Sequence, residues 1–104
     1  MDIKQHTQEI DAASRCLKAL AHPGRLAILC VLKEGEQSVQ SLEKVLGLSQ
    51  SAMSMQLATL RGQHIVATRR DGHQIYYRVA DERLFELLGV LQRIFCPDFD
   101  TPND

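Results

Sequence analysis

Between Ser38 and Gly62 two helical patterns meet across three residues, Gly47, Leu48 and Ser49. The first puts Val39, Leu42, Val45 and Leu46 on one apolar stripe behind a Ser38 cap. The second puts Met53, Leu57 and Leu60 on another behind a Ser49 cap. A glycine that stops one helix, followed almost at once by a serine that starts the next, leaves no room for a long connection, so the pair must form a helix-turn-helix with Leu48 available to the core. The other side of the second helix carries Gln50, Ser51, Ala52, Ser54, Met55, Ala58 and Thr59, all small or weakly polar. A solvated helix face is ordinarily rich in Glu and Lys, and this one has no charge at all.

The rest of the chain builds around that corner. Ile10, Ala13, Leu17 and Leu20 share a stripe and predict a helix over 7–20. His22 as cap and Pro23 at the first helical position predict a second helix to about Lys33, apolar nearly all round and therefore central, with Gly35 ending it. After Gly62 the period changes from 3.6 to 2: IVATRR and HQIYYRV flank Asp71-Gly72, a dipeptide that favours a type I′ turn, and Ile75, Tyr77 and Val79 alternate with Tyr76 and Arg78. A last helix, about 81–95, gathers Leu84, Leu87, Leu88, Leu91, Ile94 and Phe95 on a wide apolar face. That is more than a small domain's core requires, and a second subunit is the natural place for the surplus. The expected fold class is mainly α with a small β-hairpin, a homodimeric winged helix-turn-helix. Residues 1–104 form a single domain, with loose termini at 1–6 and 97–104.

Composition narrows the function. With 44% hydrophobic and 24% charged residues the chain has the make-up of a folded soluble protein. No run of about 18 apolar residues occurs and MDIKQHTQEID lacks the apolar region of a signal peptide, so a cytoplasmic location and no membrane partner are expected. Cys16, Cys30 and Cys96 are odd in number and widely spaced, a poor match to a disulfide framework or a CxxC motif. A thiol enzyme needs a base beside its nucleophile or a CxxC, and neither is offered, so no enzyme activity is expected. The net charge of −1 hides a segregation: residues 44–78 carry Lys44, Arg61, Arg69, Arg70 and Arg78 against Asp71 alone.

A basic segment around an uncharged helix suits double-stranded DNA, because the major groove admits small polar side chains and repels acids. Gln50 is suited to adenine, Ser51 and Ser54 to bases or phosphates, and Ala52 or Met55 to a thymine methyl. Arg69, Arg70 and His73, near the hairpin tip, would reach phosphates or the minor groove.

LKALAHPGRLAILCVL, LEKVLGLSQSAMSMQLATLR and DGHQIYYRV together resemble the ArsR/SmtB family of dimeric winged-helix repressors, from about residue 10 to residue 96. The resemblance implies three helices, a recognition helix, a wing and a final helix, dimerisation through the first and last helices, and operator binding relieved by an inducer. The family's thiolate metal site falls on residues 36–42, where no cysteine stands, and its last-helix zinc site would follow Asp81 with Arg83, Ile94 and Pro97. His6, His22, His64 and His73 do not cluster at ligand spacing, so no metal and no cofactor are expected.

Cys30 and Cys96 resemble the paired cysteines of the BigR, SqrR and YgaV-type subgroup, which report reactive sulfur species or oxidants. This implies a dithiol switch: a repressor bound to its operator when reduced and released when the two cysteines are linked. Cys16 has no place in that pattern and reads as a packed thiol. The alternative is an ArsR-type repressor or anti-repressor that senses a metal or another ligand, or that has no inducer.

Overall fold

The computed structural model describes residues 2–96. After a single exposed 3-10 turn at Ile3–His6 come α1 (Thr7–Leu20), α2 (Pro23–Lys33), β1 (Gln37–Ser38), α3 (Val39–Leu46), α4 (Gln50–Gly62), β2 (Val66–Asp71), β3 (Gln74–Val79) and α5 (Arg83–Phe95). This is the winged helix-turn-helix that the pattern predicts. Residues 97–104, expected to be loose, lie outside the described residues.

Local chemistry sets the boundaries. His22 caps α2 through its side chain, which accepts from Gly24 N, and Ser38 and Ser49 cap α3 and α4 by accepting from Ser41 N and Ala52 N, each at 3.1 Å. Gly47 closes α3 with a φ of 66°, a left-handed conformation in which its amide donates back to Glu43 O. The last helix starts two residues later than the periodicity suggests, because the Asp81 carboxylate accepts from Arg83 N and holds the chain outside the helix until there.

Around α2 lies one core of Ile28, Leu29, Leu32, Leu42, Met53, Leu57, Leu60, Tyr77, Val79, Leu84 and Leu88 with their neighbours. The central role expected of α2 holds: it packs on α1, α3, α4, α5 and β3. The α1 stripe is only partly covered within one chain: Ile10 and Leu17 are 43% and 56% exposed, and only the end of that helix, Ala19 and Leu20, is buried. Two expectations need correction. Val45, placed inward on α3, is exposed: the elements around this short helix, α2, α4, β1 and β3, bury Leu42 and partly cover Val39 and Leu46 but leave the Val45 side open. The hairpin turns one residue later than Asp71-Gly72: Asp71 pairs with Gln74, so the loop is Gly72-His73, with Gly72 at φ 63° supplying the left-handed first position.

The sheet also has a strand that the sequence pattern does not disclose. Gln37 and Ser38 pair antiparallel with Tyr77 and Tyr76, giving the order β1-β3-β2. Two residues cannot show a period-2 alternation. The strand ties the loop after α2 to the wing and brings Glu36 beside β2.

Candidate nucleic-acid interface and thiol cleft

The α4 helix presents two unlike faces. Met53, Leu57 and Leu60 are buried as expected, while Gln50, Ser51 and Ser54 are exposed and Ala52 is half-buried at the margin. Met55 is 66% exposed, a large apolar side chain standing in solvent among small polar ones. At its C-terminal end Thr59 Oγ1 donates back to Met55 O. Opposite this face the helix also buries Gln56, which the sequence reading assigns to neither side; its position three residues after Met53 and four before Leu60 is the signal that marks it as inward.

The wing's three candidate groups differ in their freedom. Arg70 and His73 are exposed. Arg69 is held: its Nε donates to both carboxylate oxygens of Glu36 at 2.9 and 3.0 Å, its Nη2 lies 2.7 Å from Glu36 Oε1, and its guanidinium sits 4.5 Å over the Tyr76 ring. The hydrogen bond from Arg69 holds the Glu36 carboxyl below the usual carboxylate range, helped by the charges of Arg69 and Arg78. Among the described residues Arg70 has no such partner.

Cys30 and Cys96 come to one place. Both line a cleft of about 160 Å³ between α2 and α5, together with Leu26, Leu91, Gln92 and Phe95, and its walls expose only apolar surface. Cys96 is exposed and Cys30 half-buried, and both thiols are free. Cys96 ends α5, its amide donating to Gln92 O at 2.8 Å. Gln92 is itself buried; its Oε1 accepts from Lys33 Nζ at 2.7 Å, so α2 and α5 are joined by a polar contact beside the cleft. Cys16 lies on α1 away from this pair, its thiol pushed up by burial and then by the Asp81 carboxylate. Among the described residues no three His, Cys, Asp or Glu side chains gather closely enough to hold a metal ion, and no helix is long and apolar enough to cross a membrane.

Residues 22–68 match the family described as bacterial regulatory protein, arsR family. The chain is 41% identical over 95 residues to the biofilm growth-associated repressor of Xylella fastidiosa, an alignment that covers 91% of this chain and 81% of that one. Reduced HlyU from Vibrio cholerae, a protein named a transcriptional activator, superposes with a TM-score of 0.84 at 35% identity, covering 89% of this chain and 98% of that one. A homodimeric winged helix-turn-helix DNA-binding domain from Mycobacterium bovis superposes with a TM-score of 0.78 at 29% identity, covering 100% of this chain and 94% of that one.

Proposed function

The chain belongs to the arsR family of bacterial regulatory proteins, whose members are DNA-binding transcription regulators, and on that premise we propose that it is a cytoplasmic, homodimeric repressor controlled by a dithiol switch. The observation that carries the switch is the shared cleft: two free thiols, 66 positions apart in sequence, line one small apolar space between α2 and α5. Linking them removes two electrons and two protons from the pair and delivers both to a reactive sulfur species or another oxidant. The dimer follows from the apolar surface left open on the first and last helices, with Ile10, Leu17, Ile94 and Phe95 all exposed. It also accords with the homodimeric state named for the Mycobacterium bovis domain.

In the bound state one α4 from each subunit enters the major groove, reading bases with Gln50, Ser51, Ala52, Ser54 and Met55, while Arg70 and His73 of the wing meet the backbone. Selection of bound duplexes from a random pool by the reduced protein tests this. The expected product is a pseudo-palindrome with half-sites about 10 base pairs apart, or a multiple of that. Light scattering should give twice the chain mass; a monomer at micromolar concentration, or a pool with no enriched sequence, overturns the reading.

The wing geometry separates two arginines that look alike in sequence. Arg70→Ala should weaken binding to operator and to random DNA alike and lower the salt slope of the dimer by about two units, because each phosphate contact releases about one counterion and each subunit loses one. Arg69→Ala should do so less, since its charge is already met by Glu36. Gln50→Ala or Ser54→Ala should instead change which bases are preferred, by about 1–3 kcal/mol at the position read. Equal losses from both classes of variant would remove α4 as the reading element.

A further inference from the structure

Beneath α4 lies a polar junction with no role in the reading above. Gln56, 9% exposed, is the one polar side chain that this helix buries. Arg25, from the first turn of α2, donates through Nη1 to Gln56 Oε1 at 3.0 Å. Its other nitrogens serve the end of α1: Nε donates to Ala19 O at 2.6 Å and Nη2 to Lys18 O at 3.4 Å. Carbonyls in a helix's last turn lack intrahelical i+4 donors; Arg25 supplies one to Ala19 O and shares Lys18 O with the Ala21 amide.

His22 stands on the other side of Gln56. Its Nδ1 accepts from Gly24 N at 3.0 Å, which leaves the proton of the neutral ring on Nε2, 3.4 Å from Gln56 Nε2. Gln56 is therefore flanked by two donors, and a carboxamide has one accepting end; it serves Arg25.

We propose that Arg25 is a positioning residue for DNA reading, fixing the rotation of α4 about its own axis against the end of α1 by gripping Gln56 and the Ala19 and Lys18 carbonyls with one guanidinium. The rest of the α4 seat is Met53, Leu57 and Leu60, and apolar contact is non-directional. A planar guanidinium is directional. The precision matters because a helix with its side chains is about 10–12 Å across, so a rotation of about 20° carries an outward atom about 2 Å. Hydrogen bonds to base edges tolerate about 0.5 Å.

The inference rests on α4 being the DNA-reading helix and is independent of the thiols, so the test uses the reduced protein and the duplex returned by selection. Gln56→Met keeps volume and burial and removes the acceptor. Arg25→Lys keeps the charge and removes the fork. Gln56→Glu supplies two acceptors, one for Arg25 and one for His22 Nε2. The first two variants should lose about tenfold in the ratio of operator to random-DNA affinity, the lower part of the range for a base-reading contact. Their melting temperature and random-DNA affinity should stay close to wild type. Gln56→Glu should retain the ratio even where its added charge weakens both affinities. A wild-type ratio in Gln56→Met, or a fall in which operator affinity, random-DNA affinity and melting temperature decline together, overturns the proposal. Failure of the underlying reading looks different: the wild type itself then shows no sequence preference.

Discussion

After polysulfide treatment the wild-type protein is expected to release its operator with affinity lowered about 5- to 150-fold, the span of a coupling worth about 1–3 kcal/mol, while Cys30→Ser and Cys96→Ser stay bound. The effect is large because the linked elements differ in role: Cys30 is on α2, at the centre of the fold, and Cys96 ends α5, whose outer face carries the exposed Ile94 and Phe95. Drawing the end of α5 toward α2 would shift the subunit contact and with it the spacing of the two α4 helices. Cys96 is the more exposed thiol and the expected first nucleophile; Cys30 then closes the link. A direct disulfide needs Cα atoms about 4.4–6.8 Å apart, and each inserted sulfur atom lengthens that reach.

The cleft's apolar walls add a preference of their own, since an uncharged reagent enters without the desolvation cost of a charged one. Cys16→Ser should be released like wild type, because burial and the Asp81 carboxylate keep the Cys16 thiol protonated. Gel shifts before and after treatment decide the matter, and release of either Cys30→Ser or Cys96→Ser would refute the switch.

Leu29→Ala is expected to cost about 2–5 kcal/mol in denaturant unfolding, a large share of the roughly 5–15 kcal/mol that holds a domain together. Leu29 is fully buried on α2, the helix on which α1, α3, α4, α5 and β3 all pack, so the cavity has no free edge toward which its walls can relax. Met55→Ala supplies the contrast: the side chain is 66% exposed, and its loss should leave stability unchanged while altering DNA preference. A Leu29→Ala cost under about 1 kcal/mol would mean that the core repacks, contrary to this account.

What the sequence disclosed was local. Ser38, Ser49, Gly47 and His22 announce their helix ends because a cap acts within three residues, and the Met53, Leu57, Leu60 stripe is a property of one helix. The contacts that escaped are those between residues distant in sequence. Arg69 looks like a free wing cation until β1 pairs with β3 and brings Glu36, 33 residues away, to its guanidinium. Gln56 is unremarkable until Arg25, 31 residues away, reaches it. The α1 stripe disclosed its helix and no more: periodicity states that a face is apolar and not whether the same chain covers it.

The apolar side chains Ile10, Leu17, Ile94 and Phe95, left open on the first and last helices of one chain, have a consequence for the protein's abundance. If a second copy covers them, folding and association are one equilibrium, and stability becomes a function of how much protein is present. Each tenfold dilution then removes about 1.4 kcal/mol from the folded dimer. The first molecules made from a newly transcribed gene are the least stable, and each later one strengthens those before it. A shortage of this protein would thus lower the occupancy of its DNA sites twice, once through fewer molecules and once through a smaller folded fraction.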